Sequence, residues 1–238
     1  MKKFQEYIDK VYVLHVKEGY EDRAKHIERE LAKHDIIFSY MLDYDIPDLT
    51  KNDFEKYFVN KEVLTKPHFS ISRKHYAINE DIVANNYNLC LVLEDDVFLD
   101  ESFNKIMNII IPDVYVMKEP VIVSLGNGAN MYVSKKTYSP GKYLYEADQN
   151  RCADSFLINQ LAARNRVDWF KNNRAYLNID HMFNKIDKQM GNKILWLAPT
   201  IVEQGSQNGR MQSSASRNKK FHRVRWLWKD FGRRLKGV

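Results

Sequence analysis

The sequence predicts an α/β protein with a mainly parallel central sheet that is flanked by helices. Short segments rich in β-branched and aromatic residues alternate with longer segments whose apolar residues recur at helical spacing. This alternation is typical of a parallel sheet that is covered on both faces. The length of 238 residues and the 44% hydrophobic content suffice for one large core. We therefore expect one domain, residues 1–216, followed by a tail, residues 217–238.

The first half of the chain contains the clearest elements. Residues 10–16, KVYVLHV, predict a strand, and the charged segment behind them predicts a helix. Residues 68–86 predict a second helix, which leads directly into the predicted strand CLVLEDD at 90–96. The apolar stripe of the first helix consists of Ala24, Ile27 and Leu31. The stripe of the second helix consists of Ile71, His75, Ile78 and Ile82.

The second half gives weaker patterns. Residues 119–126 and 194–202 predict strands, and residues 154–165 have helical periodicity. Residues 126–150 are polar, contain glycine and proline, and predict a loop and hairpin. Residues 203–220 have no apolar period and predict a flexible connection to the tail.

The net charge of +6 comes from the tail. Residues 217–238 contain nine Lys and Arg against one acid, Asp230, whereas the other residues carry 28 basic and 30 acidic groups. Because the body is not basic and contains no recognition motif, we expect no nucleic-acid partner.

Apolar residues in the tail are spaced so that a helix would place them on one face, with basic residues opposite. This pattern predicts an interfacial helix on the anionic inner membrane. A helix docked on the domain's own core or on a dimer partner would show the same pattern. The apolar residues are Phe221, Val224, Trp228, Phe231 and Leu235.

Cysteine content and apolar runs bear on the compartment. The two cysteines favour a reduced compartment, and the apolar runs are too short to span a bilayer. The N-terminal residues have no apolar segment of the secretory kind. We expect a cytoplasmic protein that is peripheral on the inner membrane, and the sequence leaves its oligomeric state open.

Three adjacent carboxylates, Glu94, Asp95 and Asp96, end the predicted strand at 90–96. Their repulsion is unfavourable unless a cation compensates it, and Mn²⁺ or Mg²⁺ bound to a diphosphate would do so. A solvated turn at a helix N-terminus would also explain them. Strand alternation points Glu94 and Asp96 to one side, so we predict Asp96 as the direct metal ligand and Asp95 as a donor-sugar contact or second ligand.

Two groups of residues resemble glycosyltransferase family 25, whose bacterial members build lipooligosaccharide. The first is a helix that carries His75, followed 19 residues later by Glu94 of the EDD motif. The second is the stretch LAPTIVEQGSQNGRMQSS. The similarity extends from about residue 10 to about residue 216.

The resemblance implies a GT-A-like domain with a Rossmann-like sheet, and an inverting transfer of galactose or glucose from a UDP-hexose to a lipooligosaccharide core. A lipid-linked saccharide would be the acceptor, in a Gram-negative bacterium. The alternative is a catalytically inactive protein that retains the fold and binds carbohydrate or membrane.

Residue roles follow from the same resemblance. The predicted base is Asp154, with Asp180 as second choice, although Asp154 would also serve as a helix N-cap. His181, next to Asp180, is a predicted metal ligand. The predicted donor contacts are Val13, His15, Arg23, His75, Glu94, Asp95, Gln204, Gly205 and Ser206. The predicted acceptor contacts are Ser213 and Ser214.

Overall fold

The computed structural model describes residues 3–211 and five further positions, 224, 227, 228, 231 and 232. Its centre is a seven-stranded sheet in the spatial order β2-β1-β3-β7-β5-β8-β6. These strands are β1 Lys10–Leu14, β2 Ser39–Met41, β3 Leu89–Glu94, β5 Val121–Ser124, β6 Leu144–Ala147, β7 Ser155–Asn159 and β8 Lys193–Leu197. Two short strands, β4 Val97–Leu99 and β9 Val202–Gln204, pair in an antiparallel ribbon.

Five of the seven strands run in the same direction. The pairs β1–β2, β1–β3 and β5–β8 are parallel, whereas β7 is antiparallel to both β3 and β5, and β6 is antiparallel to β8. The predicted α/β class with a mainly parallel sheet is confirmed.

Helices cover both faces of the sheet. They are α1 Glu21–Ala32, α2 Lys51–Tyr57, α3 Lys66–Ala84, α4 Phe103–Tyr115, α5 Gln160–Trp169, α6 Ile179–Met190 and α7 Gly205–Asn208. Apolar residues of α1 and α4 form one core with the sheet, and those of α3, α5 and α6 form the other. The predicted strand at 10–16 and the predicted helix at 68–86 correspond to β1 and α3.

The prediction of a helix from residue 154 was wrong at its beginning. Residues 155–159 form the central strand β7, and all five are buried. Leu157 packs into one core, and Phe156 and Ile158 pack into the other. A strand covered on both faces is apolar throughout, so it lacks the alternation that identifies half-exposed strands. The N-cap of α5 is therefore Asn159, whose side chain accepts from the Ala162 N–H, and not Asp154.

Two other predictions need correction. The predicted strand at 194–202 is interrupted by a turn with a cis peptide bond before Pro199, which separates β8 from β9. The predicted flexible stretch from residue 203 is ordered as far as it is described, because residues 203–208 belong to β9 and α7. Within the predicted loop at 126–150, Leu144–Ala147 forms the edge strand β6.

Most of the predicted tail lies outside the described residues, as do Ser213 and Ser214. The five tail positions that are described are helical. Within the described part of the chain, no helix is both long and apolar enough to cross a membrane.

A buried ion pair joins α5 to α6 below the sheet. Arg166 donates from Nε and Nη2 to Asp187 at 2.9 and 2.8 Å, and both residues are almost completely buried. The amides of Asn150 and Asn192 donate to the same carboxylate, at 2.7 and 2.8 Å. The guanidinium also lies 3.6 Å from the centre of the Phe183 ring. This network fixes both helices to the loop that leads into β7.

We predict that Asp187→Ala will lower the free energy of unfolding by about 3–5 kcal/mol, because it leaves the Arg166 charge buried without its partner. Chemical denaturation would measure the change. The matched control is Asp168→Ala, which breaks the exposed pair with Lys171 and is expected to cost less than about 1 kcal/mol. Equal losses in the two variants would contradict the stabilising role of the buried network.

Candidate active site

The direction of β7 creates a group of acidic side chains at one edge of the sheet. Because β7 is antiparallel to β3, the residue that precedes β7 lies beside the residue that ends β3. The Glu94 N–H donates to the Asp154 carbonyl oxygen at 2.8 Å. Asp180, in the first turn of α6, accepts from the Ala153 N–H at 2.8 Å. These three carboxylates and that of Asp96 form an acidic group at this edge.

Asp95 lies on the other side of β3, where it contacts the side chains of His15 and Arg23. His15 Nδ1 lies 2.7 Å from Asp95 Oδ2, and Arg23 Nη1 donates to Asp95 Oδ1 at 2.6 Å. Arg23 Nη2 is also 3.8 Å from Asp96 Oδ2. Burial alone would lower the pKa of Arg23, but the charges of Asp95 and Asp96 outweigh burial and raise it. The sequence-predicted residues His15, Arg23 and Asp95 are thus brought together.

Glu94 and Asp96 both contact the end of β9 and the start of α7, as strand alternation predicts. Gln204 Nε2 donates to Glu94 Oε2 at 2.7 Å, and the Ser206 N–H donates to Asp96 Oδ2 at 2.9 Å. The Gly205 N–H donates to the Asp96 carbonyl oxygen at 2.7 Å. A Cβ on Gly205 would lie only 2.7 Å from that oxygen, so the close contact requires glycine.

Burial and mutual repulsion alter the protonation of the acidic group. Burial raises the pKa of Glu94 well above its usual range, and the charges of Asp96, Asp154 and Asp180 add to this. Burial also raises the pKa of Asp154 to about 7, although a hydrogen bond from Ser155 Oγ at 2.9 Å opposes the shift. The pKa of Asp180 is raised by burial as well. A carboxyl group that titrates near pH 7 can accept or donate a proton under physiological conditions.

Gly126 is a site residue that the sequence analysis did not identify. It follows β5 and lies beside β7, where an added Cβ would be 2.9 Å from Asp154 Oδ2 and 2.8 Å from Ser155 Oγ. Arg151 Nη1 donates to the Gly126 carbonyl oxygen at 2.8 Å and holds this turn in place. The signal available in the sequence was the glycine itself, which was interpreted only as part of a loop.

His75 lies in the core below Glu94. Its Nε2 is 3.9 Å from Glu94 Oε1, and the ring is completely buried. Burial lowers the pKa of His75 to about 3, and the charge of Arg166 contributes. The imidazole is therefore neutral at physiological pH and contributes packing and polarity rather than charge.

A cavity of about 520 Å³ opens beside the acidic group, at the carboxyl ends of β1 and β3. Its wall includes His15, Arg23, Glu94 and Asp95. Lys74 closes one side, because its Nζ donates to the carbonyl oxygens of residues 41, 42 and 43 at 3.3, 3.0 and 2.7 Å. Ligands of open α/β sheets bind at this edge, and the cavity has the volume of a small-molecule site.

The hydrogen bonds of the carboxylate oxygens show which of them are available to bind the predicted divalent cation. Asp96 Oδ1 is buried and makes no hydrogen bond, whereas both oxygens of Asp95 contact His15 or Arg23. Among the described residues, no three His, Cys, Asp or Glu side chains form a group that could hold a metal ion. His181 is exposed in the first turn of α6. One open carboxylate oxygen fits a cation held mainly by substrate phosphates.

The remaining predicted donor and acceptor contacts lie in three different environments. Val13 is completely buried in the apolar core, so its side chain does not reach the cavity. The hydrogen bonds described above join Gln204, Gly205 and Ser206 to Glu94 and Asp96 of the acidic group. Ser213 and Ser214 lie outside the described residues and stay predictions.

Comparison with known proteins identifies a family. The sequence model described as glycosyltransferase family 25 (LPS biosynthesis protein) matches residues 8–183, which is well over half of the chain. No curated protein gives a significant match.

Two solved structures are similar to this chain. The STIV protein A197 has 10% sequence identity and a TM-score of 0.41, with 79% of this chain and 81% of that protein covered. A glycosyltransferase involved in the glycosylation of the major capsid of PBCV-1 has 12% identity and a TM-score of 0.41, with 92% of this chain and 99% of that protein covered. Similarities at this level support no functional conclusion.

We predict that Asp154→Asn will stabilise the protein more at pH 8 than at pH 5. The raised pKa means that wild-type stability falls as the pH rises from the unfolded value of 3.8 through about 7, whereas Asn does not ionise. We expect the gain in Tm to be about 5 °C larger at pH 8, measured by thermal denaturation. Asp113→Asn, at an exposed position of α4, is the control. A gain in Tm that is the same at pH 5 and pH 8 would contradict the raised pKa of Asp154.

Proposed function

Because this chain belongs to glycosyltransferase family 25 (LPS biosynthesis protein), we propose that it is an inverting hexosyltransferase. It moves galactose or glucose from a UDP-sugar to a saccharide of the lipooligosaccharide core. The observation that carries this proposal is the acidic group of Glu94, Asp96, Asp154 and Asp180, of which Glu94 lines the 520 Å³ cavity. The cavity holds the donor, and the acidic group faces the reacting carbon.

The wall of the cavity offers a nucleoside diphosphate both apolar and cationic side chains. It includes the apolar residues Ile46, Pro47 and Ile71, and three cations, Lys17, Arg23 and Lys74, each of which is paired with an aspartate. The apolar part accepts the flat face of a base, and the cations attract the diphosphate. Arg23 already forms an ion pair with Asp95. Arg23 therefore orients the donor and neutralises only part of the negative charge of the diphosphate.

Asp154 is the proposed base of the transfer. Its ionised carboxylate removes the proton from the acceptor hydroxyl as that oxygen bonds to the anomeric carbon. The bond from the anomeric carbon to the diphosphate oxygen breaks on the opposite face, and its electron pair leaves with UDP. The configuration is therefore inverted. Burial keeps Asp154 basic by raising its pKa, and the charges of Asp180 and Asp96 add to this effect.

A divalent cation, Mn²⁺ or Mg²⁺, would be held at Asp96, whose Oδ1 makes no hydrogen bond. When bound, it would stabilise the negative charge of the departing diphosphate.

We predict that the kcat/KM of wild type will rise with pH through about 7, and that Asp154→Asn will abolish this rise and lower kcat about 10²- to 10⁴-fold. The reason is that only ionised Asp154 accepts the proton. UDP release over pH 5–9 is the measurement, and Asp180→Asn is the matched variant. A larger loss of kcat in Asp180→Asn than in Asp154→Asn would transfer the role of base to Asp180.

The reaction itself is tested by UDP release from a panel of UDP-sugars, with and without Mn²⁺, in the presence of a truncated lipooligosaccharide acceptor. We expect release with one sugar and with the metal. The variant Asp96→Asn should retain the fold and lose the part of UDP release that depends on the metal. Failure of the folded protein to bind UDP by calorimetry, with either Mn²⁺ or Mg²⁺, would favour a catalytically inactive binding protein instead.

The tail is the proposed contact with the cytoplasmic face of the inner membrane. Val224, Leu227, Trp228 and Phe231 are helical, spaced to share one face, and 49%, 51%, 73% and 58% exposed. Such exposure does not fit a helix face packed on the domain's own core. The nine basic residues of the tail complement anionic lipid. Binding there would bring the enzyme to a lipid-linked acceptor.

We predict that the double variant Trp228→Ser/Phe231→Ser will bind anionic liposomes at least about tenfold more weakly, because apolar area inserted into the interface is lost. Cosedimentation with phosphatidylglycerol liposomes at low and high salt would measure this. Ile109→Ser/Val116→Ser, which removes exposed apolar residues from the domain, is the control. Unchanged binding by the tail variant would contradict membrane association through this face.

A further inference from the structure

A second cavity, of about 590 Å³, is lined by residues from both strands of the β4–β9 ribbon. Phe98 and Glu203 are opposite each other in the ribbon and both line this cavity. The next residue of β9, Gln204, points the other way and contacts Glu94. One short strand therefore contributes side chains both to this cavity and to a contact with the acidic group.

The lining of the second cavity combines aromatic rings with charged groups. Tyr132 and Tyr138 enter from the segment after β5, and Asp100 and Lys135 line the cavity as well. The wall thus presents rings that pack against the C–H faces of a sugar, and carboxylates and a cation that hydrogen-bond to its hydroxyls. This is the composition of a polar-ligand site rather than of an apolar docking groove.

Three contacts within the protein hold the wall in place. Asn127 Nδ2 donates to Tyr132 OH at 2.7 Å, and Asn127 directly follows Gly126, whose backbone lies against Asp154. On the other wall the Arg210 guanidinium lies 4.7 Å from the centre of the Phe98 ring, with Nη2 3.6 Å from Glu203 Oε2. Both walls are thereby connected to the residues that form the acidic group.

We propose that this second cavity holds the inner, non-reacting sugars of an extended acceptor saccharide, while the terminal sugar reaches Asp154. The proposal rests on the proposed function in one respect, because it takes the second substrate to be a saccharide. We expect Tyr138 and Glu203 to bind this saccharide and to determine which saccharides the cavity accepts. Tyr138 provides an aromatic platform that is 46% exposed, and Glu203 provides a carboxylate for sugar hydroxyls.

The test is calorimetric titration of the full chain with a delipidated lipooligosaccharide core, alongside a separate titration with UDP. Tyr138→Ala and Glu203→Gln should each raise the Kd for the oligosaccharide about five- to tenfold and leave the Kd for UDP unchanged. The control is Tyr176→Ala, which removes an exposed tyrosine that does not line the cavity. Thermal denaturation confirms that each variant is folded.

Unchanged oligosaccharide affinity in both Tyr138→Ala and Glu203→Gln would overturn the proposal, as would an equal loss in Tyr176→Ala. Failure of the protein to bind UDP is a different result. It would count against the proposed transfer, whereas selective weakening of oligosaccharide binding by the two variants would still support a saccharide site in this cavity.

Discussion

The site depends on the antiparallel pairing of β7 with β3. In a fully parallel sheet the residue before β7 would lie at the opposite edge from the end of β3. Reversal of this one central strand instead places Asp154 beside Glu94, where the two backbones are joined by a hydrogen bond of 2.8 Å. Asp180 joins them because α6 begins at the same edge. The position of Asp154, the proposed base, beside the EDD motif follows from this pairing.

Stability and reactivity are opposed at this edge of the sheet. Buried carboxyl groups with raised pKa values make the folded state less favourable as they ionise, so the acidic group is maintained at a cost in stability. A buried ion pair stabilises the surrounding scaffold. The Arg166–Asp187 pair and its two asparagine donors bind α5, α6 and the loop before β7 into one unit. The proposed base is thus positioned by a polar network that takes no part in the chemistry.

The elements that the sequence predicts well are those with strong local periodicity. The helical stripe of α3 and the apolar run of β3 fix the place of His75 and of the EDD motif, and these meet in the fold. β7 could not be predicted from local pattern, because an apolar strand covered on both faces has no period of its own. Gly126 was missed for a related reason: its role arises from the backbone of β7 next to it, which no local pattern specifies. Family resemblance, rather than periodicity, indicated Asp154.

The contacts of Gln204 and Ser206 also govern when a newly made chain becomes functional. Each joins residues that are 110 positions apart in the sequence, Gln204 to Glu94 and Ser206 to Asp96. During synthesis the sheet strands β1, β2, β3 and β5 leave the ribosome well before this segment, which adds the last described contacts to the acidic group. A nascent chain therefore carries its EDD motif without the segment that orders it. The acidic edge is completed only after residues 204–206 have left the ribosome, so a product that terminates before them would lack an assembled site.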